Sequence, residues 1–190
     1  RDLHSFPTRR SSDLVHFPGA GVGGHCIPKD SWLLISDIED RSNIKLIPMA
    51  RYINDFMPTH MYELFEKAVD EVKKDLKKTS VLVLGYAYDA NSDDDRNTPT
   101  EGFIKRLEEK GIEYEIHDSY IKKYKRDLNA MLEGKDAVVL ITAHDEYKEL
   151  KYSNMKELMS ENPIIIDGRN VFEKEKAREE GFTYKGVGNI

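Results

Sequence analysis

Cys26 is the residue of this sequence best placed to do chemistry. It is the single cysteine of 190 residues, and Gly19, Gly21, Gly23 and Gly24 crowd the stretch before it. Glycine lets a backbone take positive φ and come close to a ligand. Pro28 suits the first turn of a helix, so Cys26 would stand at a helix N-terminus, where the partial positive charge favours a thiolate. Lys29 adds a positive charge, and Asp30 would lie one helical turn beyond the cysteine. These residue types suit a nucleophilic cysteine beside a substrate-binding loop. A buried cysteine after a plain glycine turn fits the same spacing, and both readings stand on the residues alone.

Other groups carry less. GAGVGG (Gly19 to Gly24) has the spacing G-x-G-x-x-G, but no strand precedes it and no adequate βαβ unit follows, which is the context a dinucleotide loop requires. Asp93, Asp94 and Asp95 could be read as a metal cluster, but an exposed acidic turn explains them. His16, His60, His117 and His144 have no spacing that suggests a metal site or a catalytic triad.

The elements that must position the cysteine read in two parts. Val15 to Cys26 is a glycine-rich loop, and Trp32, Leu33, Leu34 and Ile38 continue as a short amphipathic helix, together spanning 15–46. A long helical pattern over 47–78 follows. Met49, Ile53, Met57, Met61, Leu64, Phe65, Ala68, Val72 and Leu76 recur on one face, and Pro58 should kink it or break a hydrogen bond. From 79 to 190 strands alternate with helices. Strands are expected at Val81–Leu84, Ile112–His117, Ala137–Thr142, Ile164–Ile166 and Phe182–Tyr184. Helices are expected at Thr100–Lys110, Tyr120–Leu132, Glu146–Leu150, Met155–Ser160 and Glu173–Glu180. The fold class is therefore α/β, a Rossmann-like parallel sheet with helices on both faces, preceded by a long central helix and the cysteine loop. Such sheets bind ligands beyond the carboxyl ends of their strands. Those ends here are Gly85 onwards, Asp118, Thr142 onwards and Asp167 to Asn170.

Composition narrows the partners. The net charge of -6 leaves no general basic face for nucleic acid. No apolar run approaches the roughly 18–20 residues of a membrane span, and no apolar signal region opens the chain. A single cysteine excludes an internal disulfide framework and a multi-cysteine zinc site. A cytoplasmic protein is the expectation. Residues 1–14, RDLHSFPTRRSSDL, have no helical or strand period. From His4 to Leu14 they resemble the translation of a sequencing adapter, so a non-native segment is expected there, with a disordered natural tail as the alternative.

Four ordered blocks then carry a family resemblance. PGAGVGGHCIPKD (Pro18 to Asp30) resembles the active-site signature of the UDP-glucose/GDP-mannose dehydrogenase family. ARYINDFMP (Ala50 to Pro58) is similar to its central-helix segment, and VLGYAYDANSDDDRNTP (Val83 to Pro99) and IIDGRN (Ile165 to Asn170) match later blocks. GGHCIP resembles the subgroup acting on UDP-N-acetylhexosamines. His25 stands where the UDP-glucose and GDP-mannose enzymes more often carry serine or tyrosine.

The resemblance implies oxidation of a sugar C6 alcohol to a carboxylate with two NAD+, through a thiohemiacetal and a thioester on Cys26. Asp30 would orient or activate water, or polarise a neighbouring lysine. Gly23, Tyr88 and Arg169 would contact the sugar nucleotide, and Lys29 and Arg96 would face the cofactor. Asp89 replaces a lysine usual in the family, which puts that substrate contact in doubt. The central helix would form a homodimer interface, and 79–190 would be a UDP-sugar-binding domain. The resemblance further implies that the chain is the C-terminal part of a longer enzyme and is inactive alone. A 6-dehydrogenase of UDP-glucose or another UDP-sugar, or a non-catalytic UDP-sugar-binding or dimerisation module, remains the alternative.

Overall fold

The computed structural model describes residues 18–188; the expected foreign segment at 1–14 lies outside them. Helix α1 (Cys26–Leu34) follows the glycine loop, and the long helix α2 (Leu46–Glu71) follows α1. Five strands come next, β1 (Val81–Leu84), β2 (Tyr114–His117), β3 (Ala137–Leu140), β4 (Ile164–Asp167) and β5 (Thr183–Gly186). The intervening helices are α3 (Pro99–Lys110), α4 (Leu128–Leu132), α5 (Asp145–Lys148), α6 (Tyr152–Leu158) and α7 (Lys174–Glu179). The strand order is β2-β1-β3-β4-β5 and every pairing is parallel.

The β-branched and leucine-rich runs bury both faces of the strands, as a sheet covered on both sides requires. Alternate residues supply two cores. Val81, Val83, Val139, Ile141 and Ile166 pack under α2 and α3 with Met61, Phe65 and Phe103. Leu82, Leu84, Val138, Leu140 and Ile165 pack on the other face with Met131, Tyr147, Met155 and Phe182. A side chain the size of Phe65, which is fully buried, contributes about 1.5–3 kcal/mol by leaving water.

Helix α2 ends earlier than its pattern suggests. Lys73 takes a positive φ of 56°, and the Asp75 side chain caps a separate 3₁₀ turn at Leu76–Lys78. The helix runs on through Pro58, whose missing N–H leaves the Asn54 carbonyl without its helical donor. At Pro58 α2 meets α3 closely: a Cβ on Gly102 would stand 2.9 Å from the Pro58 Cβ. The second half of α2 buries Met61, Tyr62, Leu64, Phe65, Ala68 and Val69. Its first half and α1 expose Trp32, Leu33, Leu34, Leu46, Met49, Tyr52 and Ile53. Residues 120–127 are not helical; the Asp127 side chain starts α4 by accepting the Ala130 amide.

Candidate active site

The parallel sheet brings the ends of β1, β3 and β4 together, and the glycine loop lies across them. Three separate segments hold its backbone. The Ala20 amide donates to the Gly168 carbonyl at 3.0 Å. The Arg169 guanidinium, on the same turn after β4, donates to Gly21 O at 2.8 Å and to Ile141 O at 2.8 Å. Asn54 of α2 accepts the Val22 amide at 2.8 Å and donates to the Val22 carbonyl at 3.1 Å. In the loop after β1, the Arg96 carbonyl accepts the Gly24 amide at 2.8 Å, and the Asn97 side chain donates to Gly24 O at 2.9 Å.

The glycines answer to close approach. A Cβ on Gly23 would come within 2.4 Å of the Asn97 carbonyl oxygen, and one on Gly24, whose φ is +85°, within 2.9 Å of the Tyr88 ring. Gly23, Gly24 and Tyr88 are thus one packed unit. The spacing G-x-G-x-x-G is spent on these contacts and follows no strand among the described residues, so the residues present do not fit a dinucleotide cradle.

Cys26 is the first residue of α1 and is exposed, which sets aside the buried-cysteine reading. Lys29 Nζ lies 3.9 Å from Asp30 Oδ1, both side chains about half exposed. Arg96 donates through Nε and Nη2 to both oxygens of Asp94. Those hydrogen bonds outweigh the small effect of burial and hold the Asp94 carboxyl at about 2, while the same pairing raises Arg96. Asp94 is therefore committed to an arginine, and among the described residues no three metal-ligating side chains gather.

Arg169 is half-buried, and both acceptors found for its guanidinium are neutral carbonyls. Burial pushes its pKa below the ordinary arginine value; the charge of Asp89 opposes that. Asp89 thus exerts its field on Arg169. The Asp167 carboxylate shapes the turn by accepting the amides of Arg169 and Phe172.

Spacing alone did not pick out the residues that assemble this site. Asn54, Asn97, Asp118 and His144 position the loops, yet each belongs to a separate segment. Asp118, at the end of β2, accepts the Tyr86 and Ala87 amides at the root of the loop after β1. His144 lies 3.0 Å from it. The only sequence-level sign was that Asp118 and His144 fall at strand ends.

Comparisons with known proteins agree with this arrangement. Residues 82–174 match the model of the UDP-glucose/GDP-mannose dehydrogenase family, UDP binding domain, and residues 6–56 match the central domain of the same family. The chain is 35% identical over 174 residues to UDP-N-acetyl-D-mannosamine dehydrogenase of Pyrococcus horikoshii, covering 92% of this chain and 40% of that protein. It is 37% identical over 177 residues to the protein of that name from Methanocaldococcus jannaschii, covering 90% and 40%. Among solved structures, NDP-N-acetyl-D-galactosaminuronic acid dehydrogenase from Methanosarcina mazei Go1 superimposes with a TM-score of 0.85 at 36% identity, covering 92% of this chain and 40% of that one. The chain spans about 40% of the length of the curated relatives it matches. No helix among the described residues is long and apolar enough to cross a membrane. With two family models matching in order, and with the matched blocks folded against one another around Cys26, the chain belongs to the UDP-glucose/GDP-mannose dehydrogenase family.

Proposed function

We propose that this chain forms the sugar-nucleotide half of a nucleotide-sugar 6-dehydrogenase that oxidises UDP-N-acetyl-D-mannosamine to the uronate with two NAD+. The observation that carries the reading is Arg169. Its partly buried guanidinium has only neutral carbonyls as found acceptors, at the strand ends where such sheets bind ligands. A guanidinium there suits a pyrophosphate or uracil oxygen, and it also holds the loop that leads to Cys26. Gly23 and Tyr88 border the same surface.

Cys26 supplies the nucleophile. Its sulfur adds to the aldehyde carbon of the half-oxidised sugar, the carbonyl oxygen takes a proton, and a thiohemiacetal results. After the second oxidation, water adds to the thioester carbon and the sulfur leaves as thiolate, releasing the carboxylate. A soft sulfur serves both steps better than a hydroxyl. Asp30 is placed to orient that water or to polarise Lys29. NAD+ held outside these residues would supply the hydride acceptor, and the exposed cations Lys29 and Arg96 are the residues of this chain that would face it.

The sugar is read from the relatives, two bearing the N-acetylmannosamine name and one an N-acetylgalactosaminuronate name. UDP-glucose is the competing substrate. A homodimer through α2 is part of the proposal, supported by the open apolar face of Leu46, Met49, Tyr52, Ile53 and Phe56. A cytoplasmic location accords with these soluble substrates. Calorimetric titration of the chain with UDP-N-acetyl-D-mannosamine and with UDP-glucose tests the reading. One-site binding that favours the N-acetyl sugar is expected, with no NADH formed when NAD+ is added. Equal or absent binding of both would overturn it.

A further inference from the structure

The loop after β1 presents Tyr88, Arg96 and Asn97 to the cysteine loop, and its middle is gripped from behind by a buried histidine. His144 is fully buried. Its Nδ1 lies 2.8 Å from the Asn91 amide, which can only donate. Nδ1 must therefore accept, and the ring proton is assigned to Nε2, 3.0 Å from Asp118 Oδ2. Asn91 sits at a positive φ of 58°. Its side chain also accepts the Asp145 amide at 3.0 Å and donates to Asp145 Oδ2 at 2.7 Å. Three hydrogen bonds thus fasten one residue of the loop to the dipeptide after β3. Asp118 fastens the root of the same loop through the Tyr86 and Ala87 amides.

We infer that His144 is a positioning residue that holds the Tyr88–Asn97 surface against the cysteine loop only while its ring is neutral with the proton on Nε2. A second ring proton on Nδ1 would face the Asn91 N–H, so the clasp would lose its acceptor and gain a repulsion. The titratable group that faces Nε2 is Asp118. The other titratable groups around the ring are Tyr120, at 4.9 Å between centroids, and Tyr147 of α5, at 5.4 Å. His117 of β2, whose ring packs on Tyr147 at 5.7 Å, and Asp145 of α5, the next residue along the chain, complete the titratable surroundings. From Asn91 the path to the nucleophile is short. Tyr88 N donates to Asp94 O, and the Arg96 carbonyl holds the Gly24 amide just before Cys26. The link to ligand binding rests on the proposed function; the clasp itself does not.

Long-range proton–nitrogen spectra of the ¹⁵N-labelled chain report the tautomer of each histidine ring and its titration. At neutral pH His144 is expected with Nδ1 bare. As its ring protonates, the Tyr88 amide should shift along the same curve and UDP affinity should fall about tenfold, the worth of one such hydrogen bond. His144→Asn keeps an acceptor at the δ position and does not titrate, so it should hold the Tyr88 amide at its neutral-pH position throughout. A bare Nε2, a Tyr88 amide unmoved while His144 titrates, or a pH shift that survives in H144N would overturn the inference. If UDP binds at no pH, the functional reading fails and the Tyr88 amide still decides the clasp.

Discussion

The Arg169 guanidinium donates to the Gly21 carbonyl at 2.8 Å, joining the turn after β4 to the loop that carries the cysteine. The same side chain reaches Ile141 O at the end of β3, so one residue ties three chain segments into one surface. A lysine ammonium lacks the planar fork needed to serve both oxygens in this geometry. Arg169→Lys should therefore cost about 1–3 kcal/mol in urea unfolding and weaken UDP binding, with the far-ultraviolet dichroism of the sheet unchanged. Unchanged UDP affinity in a folded variant would separate Arg169 from the ligand site.

Gly24→Ala should loosen the cysteine loop without unfolding the domain. The new Cβ would stand 2.9 Å from the Tyr88 ring at a φ of +85°, a conformation that costs an L-residue about 1–3 kcal/mol. Tyr88→Ala in the same chain should relieve the steric part and leave the backbone part. A double-mutant cycle by thermal melting should then show coupling between the two positions. Strict additivity would mean that the ring and the loop do not press on each other.

Asp118 gives the domain an acid-side dependence of stability. Burial pushes its carboxyl up, but His144 and the amides of Ala87, Ile121 and Tyr120 outweigh that and hold it below the usual range. A folded pKa below the unfolded one means that the ionised form stabilises the fold. The contribution is full above about pH 5 and fades as pH falls below about 4. Asp118→Asn should be less stable at pH 7, and its stability should fall less steeply than the wild type between about pH 5 and 2. Parallel slopes for the two proteins would contradict the assignment.

Much of the architecture was legible in the sequence because hydrophobic period and punctuation act locally. The apolar runs Val81–Leu84, Ala137–Leu140 and Ile164–Asp167 form the three middle strands, and Pro99 and Gly111 bound α3. The end of α2 was less legible, since the positive φ at Lys73 overrides a continuing apolar pattern in Val72 and Leu76. The cysteine loop was visible as residues, but not what holds it. Asn54 lies inside the long helical pattern, and only the glycine loop crossing α2 there shows that its side chain serves Val22. His144 carried no spacing signal because its partners, Asn91 and Asp118, are brought to it by strand order rather than by neighbouring sequence.

The central claim is that the sugar-nucleotide surface and Cys26 form one site, and the single cysteine of the chain makes it directly testable. Alkylation of Cys26 by iodoacetamide can be followed by mass spectrometry with and without saturating UDP-N-acetyl-D-mannosamine. The sugar nucleotide should slow the reaction several-fold, about the effect of covering an exposed thiol, and UDP alone should slow it less. An unchanged rate, with binding verified in the same sample, would place the ligand away from the cysteine and contradict the account.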